Sequence, residues 1–415
     1  MQLIVSIFAG SLLLLSVQQA SGAESQTPGA RYDLTALLAM ALERNPSLAV
    51  AEAGIGASQG RLLGAKAYPN PELAVGAGPG RALEGPPNRG TEEGVKLSQP
   101  LEWMPKRSAR IRAAEHDVEA QTFERKDAAL RVTAEVTAAF YDLLSAQREL
   151  ALSAQTLDAV ERLAATARKR VEAGEAANFE RVKAEVELQR ATKEVERARS
   201  YVAQTRAALA GATGSDLGRG FEVLGEFPES RADWSLDNLL EIAMRQHPRI
   251  LGSARTLTRR AALLDSARAS RVPDVSLFGS FEHEIDRESY RLGLSVPIPL
   301  WSQRQGEIAE AAAVARRAEA EAQQARLELT KALTQTFEQY RIARGQIELF
   351  RKGLLRQAEE AVDIARKSYQ VGEISLLELL DAQRVAFQTT REFYQAQGAL
   401  ATALATLDRL TGGLP

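Results

Sequence analysis

Few residues in this 415-residue chain could do chemistry. It has no cysteine, 3 histidines, and 54 acidic against 52 basic residues. Without cysteine there is no disulfide, thiolate metal site, cysteine nucleophile or lipid-modified N-terminal cysteine. His116, His247 and His283 are far apart in sequence and none stands at metal-ligand spacing. His116-Asp117 falls in a long helical stretch and is expected to face solvent. His247-Pro248 ends a short helix as a capping position, and His283, between Glu282 and Glu284, sits by a hairpin loop where weak cation contact is conceivable. No glycine-rich nucleotide motif occurs, so any energy source must lie in a partner. The expectation is no enzyme, no cofactor and no resident metal, and the balanced charge argues against nucleic acid. One acidic pair invites function. Glu378 and Asp381 are three apart, which puts both carboxylates on one side of a helix; a solvated helix face carries the same pattern.

The elements around these residues are legible from punctuation. Leu3 to Val17 is an apolar run, and Ser21-Gly22-Ala23 offers a cut ahead of Glu24, so residues 1–23 read as a signal peptide. No Lys or Arg precedes the run, which leaves the true start codon open. No later apolar stretch is long enough for a membrane helix. No proline lies between Pro105 and Pro228 or between Pro299 and Pro415, so both windows can be helical. Lys106 to Ala173 also lacks glycine and would span ~100 Å as one helix. Within it Val132, Val136, Phe140, Leu143, Leu144 and Gln147 recur at three- and four-residue steps. Gly306, Gly345 and Gly353 weaken the second window without breaking it.

The chain is duplicated. Leu34 to Pro46 matches Leu236 to Pro248, Pro71 matches Pro273, and Leu97-Ser98-Gln99-Pro100 matches Leu294-Ser295-Val296-Pro297. Val171-Glu-Ala-Gly174-Glu175 matches Tyr369-Gln-Val-Gly372-Glu373, and Thr213-Gly214 matches Thr411-Gly412. Each repeat reads short helix, helix, strand, strand, very long helix, helix. The first repeat covers 24–214, a polar linker 215–235, and the second repeat 236–415.

Each repeat holds two alternating runs, at about 71–78 and 92–100, then 273–282 and 289–297. Leu73, Val75, Val95 and Leu97 share one face in the first repeat; Val275, Leu277, Phe281 and Tyr290, Leu292, Leu294, Val296 do so in the second. The run length suits a transmembrane β-strand with lipid on one face and a wet lumen on the other. A sheet packed on helices in water would alternate as well. Four strands cannot close a membrane barrel, and open edges are not tolerated in lipid. Membrane strands would therefore require several copies, and three copies supply twelve.

The duplication, paired hairpins and rod-length helices together resemble the TolC-like outer-membrane efflux proteins over nearly the whole mature chain. Specific matches are Pro69-Asn70-Pro71-Glu72-Leu73, Leu97-Ser98-Gln99-Pro100-Leu101-Glu102-Trp103, and Lys106-Arg107-Ser108-Ala109-Arg110-Ile111. They look most like the cobalt–zinc–cadmium branch, which serves pumps of the resistance–nodulation–division class. The resemblance implies a mainly α fold with a small β part: a homotrimer whose 12-stranded β-barrel in the outer membrane continues as an α-helical barrel across the periplasm. It implies a periplasmic adaptor and an inner-membrane pump as partners.

The resemblance also places the turns at Gly174 and Gly372 at the periplasmic end. The adaptor-docking residues it implies are Arg170, Val171, Gly174 and Glu175 in the first repeat, and Tyr369, Val371, Gly372, Glu373 and Ser375 in the second. Glu378 and Asp381 align with the family's acidic pair at the constricted mouth; the first repeat keeps Glu180 but has Lys183 opposite Asp381. In a trimer these would form carboxylate rings that attract cations and resist closure. The expected function is the exit duct of a tripartite efflux system for divalent heavy-metal cations. A duct for drugs or a secreted polypeptide is the rival within the class, and a periplasmic coiled-coil rod without a pore is the rival outside it.

Overall fold

A computed structural model describes residues 30–82, 89–230 and 234–413; the signal-peptide reading of 1–23 lies outside them. The first half runs through β1 (Arg31–Tyr32), α1 (Leu34–Arg44), α2 (Pro46–Lys66), β2 (Glu72–Arg81), β3 (Arg89–Leu101), α3 (Met104–Glu172) and α4 (Asn178–Thr213). The second runs through β4 (Glu222–Val223), α5 (Leu236–Gln246), α6 (Pro248–Ala269), β5 (Val275–His283), β6 (Glu288–Ser295), α7 (Gln305–Leu349), a π turn (Phe350–Leu354), α8 (Leu355–Val371) and α9 (Leu376–Thr411). β2 and β3 extend further toward their shared turn than the alternation alone indicates, because Gly76, Gly78 and Gly80 blur the pattern while still pairing. The stretch between the repeats is more than a tether. Its β4 pairs in parallel with β1, and Phe221 and Val223 are buried against the first repeat.

α3 is one unbroken helix of 69 residues, ~100 Å long. Val132, Val136, Phe140, Leu143 and Leu144 are its buried stripe and meet Leu37, Ala41, Val202 and Leu209 from α1 and α4. The second half builds the same core from Leu329, Leu333, Phe337 and Tyr340 of α7 with Leu239 of α5 and Leu400 and Leu407 of α9. The corner between the two short helices also repeats. Asn45 Oδ1 accepts from Ser47 N at 2.9 Å, and His247 Nδ1 accepts from Arg249 N at 3.1 Å. Each side chain caps the helix that follows and satisfies an N–H with no intrahelical partner.

The expectation that His116-Asp117 faces solvent is half wrong. His116 sits at the surface beside Glu119 at 3.1 Å, but Asp117 is 3% exposed. Its carboxylate meets Arg61 of α2 at 2.7 Å and Arg259 of α6 at 2.8 Å. One anion thus ties three helices from both repeats. Glu149, further along α3, does the same with Arg197 of α4 at 2.8 Å and Arg391 of α9 at 3.6 Å.

The long helices form a layer in the order α4, α3, α9, then α7 with α8: α4 packs on α3, α3 on α9, and α9 on α7 and α8. The sheet lies in the order β2-β3-β5-β6, all antiparallel. Asp274, at the foot of β5, joins sheet to rods by accepting from Trp103 N at 3.0 Å and Lys106 Nζ at 2.5 Å.

Candidate functional site

The strand register sorts the sheet into two faces. Leu73, Leu97, Gly279 and Leu292 lie in one row, and Val75, Val95, Phe281 and Tyr290 in the next on the same face. This face is apolar and bare: Leu73, Val75, Tyr290, Leu292 and Leu294 are all well exposed. The intervening rows put Ala74, Lys96, Ser280 and Arg291, then Gly76, Gly94, Glu282 and Ser289, on the other face. There Arg291 meets Glu282 at 2.9 Å, and Lys96 stands 4.6 Å over the Phe278 ring. A soluble sheet would cover its apolar face with helices; no helix packs on this one among the described residues. Where strands give way to rods, Trp103, Ile298, Leu300 and Trp301 are all exposed. No helix among the described residues is long and apolar enough to cross a membrane.

At the far end of the rods the chain reverses twice. Gly174 and Gly372 take φ of +78° and +81°, values that favour glycine because they lack Cβ strain. Glu175 N donates to Arg170 O and Gly174 N to Val171 O; Glu373 N donates to Ser368 O and Gly372 N to Tyr369 O. Both turns are thus the same six-residue closure of a helix end. Gly174, Glu175, Val371, Gly372, Glu373 and Ser375 are exposed on the tips.

Tyr369, expected to be a docking residue, is not presented on the surface. It is 4% exposed in a seam with Leu163, Ala164 and Ala167 of α3 and Leu376 and Leu379 of α9. Arg170 lies 5.2 Å over its ring, and its hydroxyl donates to Glu180 at 3.4 Å. Arg170, Tyr369 and Glu180 therefore join the two tips to each other. Alternation along α8 could not reveal this, since the partners lie in the other repeat.

Glu378 and Asp381 stand exposed on the first turns of α9, each with a local partner. Glu378 closes a capping box: its carboxylate accepts from Ser375 N at 2.7 Å and Ser375 Oγ at 2.9 Å, and its own N–H donates to Ser375 Oγ. The Ser375 backbone bond, then the hydroxyl, hold the Glu378 carboxyl below the usual carboxylate range. The Ser375-x-x-Glu378 spacing was a readable signal for this box. Asp381 pairs with Arg384, and Lys183, its first-repeat counterpart, pairs with Glu187 at 3.5 Å. Among the described residues no group of acidic and histidine side chains is arranged to hold a metal ion. His283 meets Glu288 at 3.3 Å across the β5–β6 hairpin.

Known proteins match this architecture. Residues 37–215 and 239–413 fit the family model described as outer membrane efflux protein. The chain is 28% identical over 381 residues to the cobalt-zinc-cadmium resistance protein CzcC of Cupriavidus metallidurans, covering 91% of this chain and 90% of that protein. Among solved structures it is similar to a membrane protein from Pseudomonas aeruginosa, with TM-score 0.80 and 24% identity over 92% of this chain and 90% of that one. The CmeC outer membrane channel of Campylobacter jejuni superposes with TM-score 0.76 at 19% identity, over 92% of this chain and 85% of that chain.

Proposed function

The chain belongs to the outer membrane efflux protein family, and on that premise we propose that it assembles as a homotrimer into the exit duct of a tripartite efflux system for divalent heavy-metal cations. The observation that carries the duct is the four-stranded sheet with a bare apolar face, a polar opposite face and two open edges, β2 and β6. Open edges must be paired in lipid, and edge-to-edge closure of three copies gives twelve strands with Lys96, Glu282 and Arg291 facing water. The helical layer supports the same closure. Its two ends carry exposed apolar residues: Phe179, Val182 and Val186 on α4, and Ile342, Leu349 and Ile364 on α7 and α8. A head-to-tail contact of this kind closes into a ring.

Metal cargo is supported by the likeness to a cobalt-zinc-cadmium resistance protein along nearly the full chain. The exposed tip residues Gly174, Glu175, Val371, Gly372, Glu373 and Ser375, with half-buried Arg170 and Val171 beside them, are the surface offered to a periplasmic adaptor that links the duct to an inner-membrane pump of the resistance–nodulation–division class. Glu378, Asp381 and Glu180 ring the periplasmic mouth and favour cations. Residues 1–23 direct export as a cleaved signal peptide.

Two measurements test this reading. A deletion strain becomes sensitive to zinc, cobalt or cadmium; unchanged metal tolerance with new drug sensitivity would overturn the cargo. In planar bilayers the double variant Glu378→Gln, Asp381→Asn loses cation selectivity; selectivity and conductance equal to wild type would remove both residues from the mouth.

A further inference from the structure

Where the sheet meets the rods, the first repeat holds two cations that no carboxylate answers. Lys66 ends α2, and Arg107 stands on the first turn of α3. The Arg107 guanidinium lies 4.3 Å over the Tyr68 ring, and its Nη2 donates to Lys66 O at 2.6 Å. Its Nε has no hydrogen-bond partner, so most of the guanidinium's N–H fork is unused within the described residues. Neither Lys66 nor Arg107 has an ion-pair partner among those residues. Their neighbours do: Lys106 pairs with Asp274, and Arg110 with Glu102.

The duplication supplies an internal control. At the offsets of 202 and 197 that relate the repeats here, Lys66 corresponds to Arg268, Tyr68 to Ser270 and Arg107 to Arg304. Arg268 meets Asp265 at 3.8 Å, and Arg304 meets Glu307 at 2.8 Å. The second repeat thus neutralises both cations and offers no ring at the Tyr68 position. Closing the end of α2 needs only a donor to a terminal carbonyl, which Arg107 supplies. The unpaired lysine and the stacked tyrosine exceed that need.

The two cations stand at the end of the bare apolar face. Val95, Leu97 and Leu101 take alternate positions of β3 on that face, and the same alternation reaches Trp103, the residue before α3. Arg107 follows one helical turn later, ~6 Å along the axis, on the same side of the helix as Trp103. Tyr68, Leu101, Trp103 and Met104 are all exposed. A hydrocarbon chain lying on Leu97 and Leu101 would bring its own headgroup level with Lys66 and Arg107.

We propose that Lys66 and Arg107 bind the phosphate of an anionic phospholipid, such as phosphatidylglycerol, at the foot of the sheet, with Tyr68 holding the guanidinium in place. The proposal rests on the reading of the bare face as lipid-facing. A guanidinium fork beside a mobile ammonium complements phosphate oxygens. Two unanswered cations select a headgroup of net negative charge over a zwitterionic one.

Reconstitution of the full chain tests this. The protein is inserted into vesicles of phosphatidylethanolamine alone or of an equimolar mixture with phosphatidylglycerol, and lipid retained after detergent extraction is counted by native mass spectrometry. Wild type should retain phosphatidylglycerol in preference to phosphatidylethanolamine. Lys66→Gln and Arg107→Gln should each reduce that preference about fivefold, while Arg268→Gln, the second-repeat counterpart, leaves it unchanged. Lys66 is exposed, so its variant reads the site even if loss of the Arg107 bond unsettles the end of α2. Equal retention of the two lipids by wild type, or an unaltered preference in Lys66→Gln, would overturn the proposal. Displacement of phosphatidylglycerol by inorganic phosphate at equal concentration would make this a site for free anions and remove the lipid. Insertion into pure phosphatidylethanolamine with no preference in the mixture keeps the sheet in lipid and sinks the site alone; failure to insert into either vesicle sinks the lipid-facing sheet and the site together.

Discussion

Asp117 shows how little a side chain's local sequence says about its role. Beside His116 in a charged stretch it reads as a surface residue, yet it is buried between Arg61 and Arg259. Removing one partner of a buried ionic cluster strands the remaining charges, so Asp117→Ala is expected to cost about 3 kcal/mol or more. Glu119→Ala, two residues away on the exposed side, should stay within roughly 0.5 kcal/mol. Denaturation of both variants in detergent checks this, and equal midpoints would show that Asp117 does not tie the helices. Tyr369 teaches the same lesson from the opposite side. Its position next to the tip glycine marked it for docking, and its neighbours in the first repeat bury it.

At the scale of an element, the two inter-helix corners use different residues for one job. Asn45 and His247 cap α2 and α6 alike, but only histidine titrates near neutrality. Burial pushes the His247 imidazole below its ordinary value; Asp127 and the Arg409 backbone pull it up, while Arg409 and Arg249 add to the downward push. The folded form therefore binds the proton less well than the unfolded chain, whose value is ~6.5. Stability from this group is complete above ~pH 6.5 and declines as pH falls below it, until the folded imidazole itself protonates. His247→Asn copies the first repeat's cap and removes the titration. Its thermal midpoint should vary less between pH 8 and pH 5 than that of wild type, and identical pH profiles would dismiss His247 as the source. The sequence marked this corner through Asn45-Pro46 and His247-Pro248; it could not report how deeply the histidine is buried.

For the whole molecule the decisive feature is what the chain leaves uncovered. Among the described residues, the sheet ends in β2 and β6 with no further strand beside them, and the helical layer ends in α4 and α8. Phe179 is 71% exposed and Ile364 59%, exposures that a helix-to-helix seam between copies would remove. Phe179→Asp or Ile364→Asp should convert trimers to monomers with unchanged helix content, because neither side chain belongs to the core of its own chain. Sedimentation in detergent reads the outcome, and intact trimers from both variants would place the contact between copies elsewhere.

The sequence by itself determined the elements and their duplication. Proline and glycine punctuate the backbone locally, and the periods of two and near 3.6 follow from backbone geometry, so rods, strands and tips could be read from spacing. The TolC-like resemblance rests on that same order, and the family match covers both repeats. Tertiary structure alone decided which charged residues are buried, that Tyr369 is buried between the tips in contact with Arg170 and Glu180, and that Glu378 and Asp381 each have a local partner. It also decided that the helical backbone breaks at Gly353 in one rod and runs unbroken through the other. These depend on partners far away along the chain or on a one-residue phase shift that the individual matches leave unplaced: Leu97 with Leu294 and Gly174 with Gly372 differ in offset by one, and only burial along the helices locates where the extra residue lies.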